Sequence, residues 1–98
     1  MEIINRGEQL LVRLNGEIDH HTAAEMRFRI DGELNRSVPS LLILDFGGVD
    51  FMDSSGIGLI LGRLRLVSGW NGRLAVTNPK PAVRKMIRLA GLEKLLQR

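Results

Sequence analysis

Two hydroxyls stand beside a carboxylate in Phe51-Met52-Asp53-Ser54-Ser55-Gly56-Ile57-Gly58, and no bulky side chain follows them directly. The segment joins the apolar run Leu41-Leu42-Ile43-Leu44 to a second apolar stretch that reads as a helix, which puts Ser54 and Ser55 at the helix start. There, free backbone N–H groups and the helix dipole stabilise negative charge by roughly 0.3–1 kcal/mol, so the fold would tolerate a phosphate. The same phosphate would add about −1.5 to −2 charge beside Asp53 and penalise any complex that buries the site against an acidic or apolar surface. That pairing of a quiet fold with an altered surface makes a switch. The plainer reading is that Asp53 or Ser54 merely caps the helix while Gly56 and Gly58 let it approach a sheet, and local chemistry does not choose between the two serines.

Catalytic templates do not fit the segment. A phosphate-binding loop of the Walker type needs a Lys-Ser or Lys-Thr pair, which Gly56-Ile57-Gly58 lacks. A nucleophile elbow needs glycine two residues before the serine, where Met52 and Asp53 stand. Gly56, Gly58 and Gly62 miss the last spacing of a dinucleotide fingerprint by one residue. Adjacent His20 and His21 would point apart on a helix and have no third ligand at metal-binding spacing; they are expected on a loop before the first helix, with Asp19 or Thr22 at its cap. Asp45, Asp50 and Asp53 suggest the acidic pocket of a phospho-aspartate receiver, but Thr77-Asn78 ends the last predicted strand where a receiver carries lysine. No metal or cofactor is expected.

The elements that must position the serines follow from periodicity. Ile3-Ile4 and Gln9 to Leu14 read as a hairpin around Arg6-Gly7-Glu8, with Leu10, Val12 and Leu14 on one face. Thr22 and Glu25 have capping-box spacing, and Met26, Ile30 and Leu34 make a helical face over about Ala23 to Asn35. Leu41 to Phe46 is a continuous apolar run that suits a strand covered on both faces. Ile57, Ile60, Leu61, Leu64 and Val67 then recur at helical spacing until Gly69 and Gly72. Arg73 to Thr77 predicts a short strand, and Pro81 opens a third helix with Val83, Met86, Ile87 and Ala90 as its apolar face and Gly91 at its end. Leu92 to Arg98 is apolar enough to dock but too short to classify. Strands alternating with helices predict an α/β domain: a four-stranded mixed sheet, opened by a β-hairpin and packed against helices.

The chain has 98 residues, 44% of them apolar, which suits one compact domain over residues 1–98. No stretch approaches the roughly 20 apolar residues of a membrane span, and Met1 to Arg6 lacks the look of a secretory signal, so a cytoplasmic location is expected. Cysteine is absent, which excludes disulfides, thiolate metal sites and cysteine nucleophiles. The net charge of +3 is divided unevenly: residues 1–53 hold five Arg against ten Asp and Glu, and residues 54–98 hold nine Lys and Arg against one Glu. The basic residues are dispersed and aromatic residues scarce, so solvated helix faces are expected rather than a nucleic-acid surface.

Gly16-Glu17-Ile18-Asp19-His20-His21-Thr22-Ala23, together with Phe51 to Gly58 and Ile60-Leu61-Gly62-Arg63, resembles the anti-sigma-factor antagonists of the STAS domain superfamily. The Asp-His-His-Thr-Ala segment and the Ser-Ser pair look like the sporulation branch that relieves inhibition of sigma F; general-stress members commonly carry Ser-Thr. The resemblance spans nearly the whole chain and implies a substrate rather than an enzyme. It implies that a serine kinase, which is also the anti-sigma factor, phosphorylates Ser54. The unphosphorylated form binds that kinase and releases the sigma factor, and a serine phosphatase restores it. It further implies partner contacts at Asp19, Asp53, Ser55, Gly58 and Gly62. Family members usually continue past the third helix, so the C-terminal segment is short by comparison. The alternative within the superfamily is an interaction module of another pathway, either a general-stress assembly or a transporter component.

Overall fold

Strand β1 (Glu2–Arg6) turns through Gly7 and Glu8 into β2 (Gln9–Ile18) in the computed structural model, which describes residues 1–97. Gly7 makes this turn at φ +74°, a conformation that costs glycine no steric penalty. Helix α1 (His20–Ser37), strand β3 (Leu41–Met52), helix α2 (Ser54–Ser68), strand β4 (Arg73–Thr77) and helix α3 (Pro81–Leu89) follow, and a short 3₁₀ turn leads to β5 (Leu96–Gln97). The sheet order is β1-β2-β3-β4-β5, with β1 antiparallel to β2 and the other neighbours parallel. The mixed sheet and the opening hairpin agree with expectation, and the fifth strand is an addition. Its two residues pair as Val76 with Leu96 and Thr77 with Gln97, too few for a periodic signal.

Because sheet order follows chain order, every parallel crossover steps the same way, and right-handed crossovers then lay all three helices over one face. Burial follows this rule. The rows Leu10-Leu42-Leu74 and Val12-Leu44-Val76 lie in the core with Met26, Ile30 and Leu34 of α1, Ile60 and Val67 of α2, and Val83 and Ile87 of α3. The intervening row Ile4-Leu11-Ile43-Ala75 points to the opposite face, and none of these residues joins that core. The continuous apolar run in β3 is therefore covered by helices on one side only; its outward Ile43 is half-buried among neighbouring strands.

One boundary and one helix face differ from expectation in ways that bear on the site. Strand β3 runs on to Met52 instead of stopping at Phe46, with register shifts against β2 between Arg13 and Asn15 and between Gly16 and Glu17. Gly48 is needed there, since a Cβ would stand 3.0 Å from both Asn15 Cβ and the Leu14 carbonyl. Helix α2 buries Gly56, Leu59, Ile60, Arg63 and Val67 and leaves Leu61 exposed. Its sequence is apolar nearly all round, so periodicity alone misplaced Leu61 and passed over Leu59.

Candidate functional site

Parallel pairing brings the two sequence segments singled out above to one end of the sheet. Ile18 pairs with Met52, and the Asp53 N–H donates to the Ile18 carbonyl at 3.1 Å. Each strand then enters a helix through an aspartate in extended conformation, Asp19 for α1 and Asp53 for α2. The site is thus two neighbouring helix N-termini, each with its own carboxylate.

Asp19 Oδ1 accepts from the Thr22 N–H at 2.9 Å, and the Thr22 hydroxyl accepts from the Asp19 N–H at 2.9 Å. This reciprocal box joins Asp19 to Thr22, three residues earlier than the expected pairing of Thr22 with Glu25. The helix accordingly begins at His20, and both histidines lie exposed on its first turn rather than on a loop. The Thr22 N–H, foremost, and then its hydroxyl, which donates to Asp19 Oδ1 at 3.1 Å, hold the Asp19 carboxyl below its ordinary pKa. Each bond stabilises the ionised form.

At the second terminus Asp53 Oδ1 accepts from the Ser55 N–H at 2.8 Å. Ser54 is the first residue of α2 and is exposed; Ser55 is half-buried and turns toward α1. Beneath them Gly56 sits on Met52, where a Cβ would come within 2.2 Å of the methionine Cγ and Sδ. Gly58 and Gly62 are different in kind, since no heavy atom lies within 4 Å of a Cβ built on either. They open a groove of about 370 Å³ between the two helices, lined also by His20, Ala23, Arg27 and Ser55. Asp53, Ser54 and Ser55 are thus gathered at the helix start, Asp19 stands at the adjoining one, and Gly58 and Gly62 extend the surface along α2.

Arg63 at the groove floor was singled out only within the resemblance. It is 6% exposed, its Nη1 donates to the Leu59 carbonyl at 3.3 Å, and its Nε lies 2.8 Å from Asp31 Oδ1 of α1. The Nε contact is an ion pair without hydrogen-bond alignment. Burial lowers the Arg63 pKa and Asp31 opposes that shift, which leaves a fixed positive charge between the helices. An arginine in the stripe Gly56, Leu59, Ile60, Val67 was the available signal.

The acidic residues weighed as a receiver pocket have separate partners. Asp45 accepts from the Gly47 N–H and from Asn78, Asp50 pairs with Lys80, and Asp53 caps α2. Among the described residues no group of three or more His, Cys, Asp or Glu is arranged to hold a metal ion, and no helix is long and apolar enough to cross a membrane.

A family model described as the STAS domain matches residues 1–97. An anti-sigma F factor antagonist of Lysinibacillus sphaericus is 38% identical over 92 residues, covering 94% of this chain and 78% of the relative. One of Paenibacillus polymyxa is 39% identical over 87 residues, covering 89% and 74%. Among solved structures, the anti-sigma factor antagonist SpoIIAA in its unphosphorylated form superposes with a TM-score of 0.89 at 35% identity, covering 98% of this chain and 84% of that one. The Bacillus cell fate determinant SpoIIAA in its phosphorylated form gives 0.81 at 34% identity, covering 98% and 87%.

Proposed function

The chain belongs to the STAS domain family, and we propose that it is an anti-sigma-factor antagonist switched by phosphorylation of Ser54. The observation that carries this reading is the exposed Ser54 hydroxyl at the first position of α2, beside the cap formed by Asp53. In its unphosphorylated form the protein binds an anti-sigma serine kinase and releases the sporulation sigma factor. The kinase transfers phosphate from ATP to Ser54, ending the complex, and a serine phosphatase restores the hydroxyl. The chain is the substrate in both reactions and supplies no catalysis. It works in the cytoplasm and contacts neither nucleic acid nor membrane.

Each surrounding residue has a physical role in this reading. The α2 dipole and the free N–H groups of its first turn accommodate the phosphate, so modification leaves the fold in place. Asp53 then lies beside about two further negative charges, which repel a partner surface matched to the hydroxyl form. Asp19 presents a carboxylate from the adjacent helix start, with its orientation fixed by Thr22. Ser55 borders the groove, and Gly58 and Gly62 let partner atoms approach the α2 backbone. Ser54 is favoured over Ser55 because it is exposed, whereas Ser55 is half-buried beside α1.

Incubation with an anti-sigma serine kinase and MgATP, followed by peptide mass spectrometry, tests the assignment. Phosphate on Ser54 is the expected result; no transfer, or transfer to another residue, would overturn it. In calorimetric titration against the kinase, Ser54→Ala should bind and resist modification, while Ser54→Asp should bind more weakly. Equal affinity for Ser54→Asp and the unsubstituted protein would remove electrostatic control from the reading.

A further inference from the structure

The outer face of α1 carries a feature that the switch does not use. Phe28 is 82% exposed, with Ala24 one turn before it and Gly32 one turn after it. Shallow concavities of about 810 and 880 Å³ flank it, one toward Met1, Asn15 and Gly16 and the other toward Ile3, Asn5 and Asn35. No heavy atom lies within 4 Å of a Cβ built on Gly32, so an aromatic knob stands one helical turn from an empty seat. The charges around it also form a pattern. Arg27 and Asp31 lie on the side of α1 facing α2, where Asp31 meets Arg63 and Arg27 lines the interhelical groove. Glu33 lies on the side facing β1, where it accepts from Asn5 at 3.2 Å.

We propose that this face binds a second copy of the chain through an antiparallel pairing of the two α1 helices, with Phe28 of each seated on Gly32 of the other. A two-fold axis at the level of Ile30, perpendicular to the plane of both helices, reverses position along the helix and keeps each side on its own side. Phe28 then falls opposite Gly32 of the second copy. On the α2 side Arg27 meets Asp31 of the other copy, and on the β1 side Arg29 meets Glu33. These four charges thus face opposite signs, twice over by symmetry. Asp31 and Glu33 keep 30% and 19% of their side chains open; Asp31 already meets Arg63, and Glu33 already meets Arg36 at 3.4 Å and Asn5, so the pairs between copies add to these contacts. An anionic lipid surface would suit Arg27, Phe28 and Arg29 but would meet both carboxylates with like charge. One helix against another buries less than the roughly 800 Å² per partner of a standard interface, so the dimer is weak and forms at high protein concentration.

Sedimentation equilibrium of the whole chain, up to about 1 mM protein, tests the pairing; that ceiling corresponds to only about 4 kcal/mol of binding free energy. A reversible monomer–dimer equilibrium is expected. Phe28→Lys should weaken it at least about tenfold, and so should Gly32→Leu, which fills the seat at an exposed helix position where folding is unharmed. Arg29→Glu should weaken association, and adding Glu33→Arg should restore it by recreating the pair with reversed signs. Circular dichroism verifies that each variant is folded. A monomer throughout the range, a dimer indifferent to Gly32→Leu, or failure of the double reversal to restore association would each overturn the proposal. Binding of the protein to anionic phosphatidylserine vesicles without self-association would also overturn it.

Discussion

At the residue scale, three glycines within seven positions do different work, and alanine separates them. Gly56→Ala would drive a Cβ against buried Met52, so a loss of about 1–3 kcal/mol is expected in urea unfolding. Gly58→Ala and Gly62→Ala meet no neighbour and should each stabilise the fold by roughly 0.5–1 kcal/mol through helix propensity. If they border the partner surface, the same variants should bind the kinase less tightly while melting higher; lower melting temperatures would show that the groove is filled in solution. Asp19 makes a pH-dependent prediction. Its folded pKa is depressed, so the stability gained from its ionised form is complete above the ordinary carboxylate pKa of about 4 and drains as pH falls through the lowered value. Asp19→Asn should therefore melt below the unsubstituted protein at neutral pH, with the gap closing under acid. A gap that stays constant down to about pH 2 would assign the effect to geometry rather than charge.

At the element scale, the site is made by strand register, and this limited what could be read from the chain. Ser54 at a helix start was legible because capping is local chemistry. Each cap was narrowed only to two residues, Asp19 or Thr22 and Asp53 or Ser54, and the capping box was placed at Thr22 and Glu25 instead of Asp19 and Thr22. The adjacency of Asp19 and Asp53 was carried by resemblance alone: it depends on the Ile18–Met52 pairing, which follows a 12-residue strand and two register shifts. Periodicity located every helix but did not orient α2, whose apolar side chains surround it; the lone arginine in the core stripe carried that information. The Arg63–Asp31 pair joins α1 to α2 directly beneath the groove. Asp31→Ala would strand a buried guanidinium and should cost about 1–3 kcal/mol, less than for a fully buried pair because the Asp31 side chain is 30% exposed. Arg63→Met, which removes the charge and keeps the bulk, should cost less than Asp31→Ala in the same denaturant titration. The reverse order would mean that the arginine is held by contacts other than Asp31.

At the scale of the whole molecule, the uneven charge of the two chain halves has a structural counterpart. Arg63 and Lys80 of the basic half pair with Asp31 and Asp50 of the acidic half, so part of the asymmetry is spent on contacts across the fold. The crossover direction has a larger consequence, because it gives the sheet one core face and one open face. Ile43 and Leu44 are adjacent in β3 and nearly equal in hydrophobicity, yet Leu44 is fully buried under the helices while Ile43 lies half-buried on the far side. Leu44→Ala should therefore cost about 2–5 kcal/mol, as expected for a cavity in a packed core. Ile43→Thr keeps the β-branched shape that suits a strand and places its hydroxyl where water can reach, so it should cost less than about 1 kcal/mol. Urea unfolding of both variants reads the difference directly. Similar losses would mean that the open face is covered in solution; repeating the titration at several protein concentrations would then show whether another copy covers it, because only an intermolecular cover makes the midpoint depend on concentration.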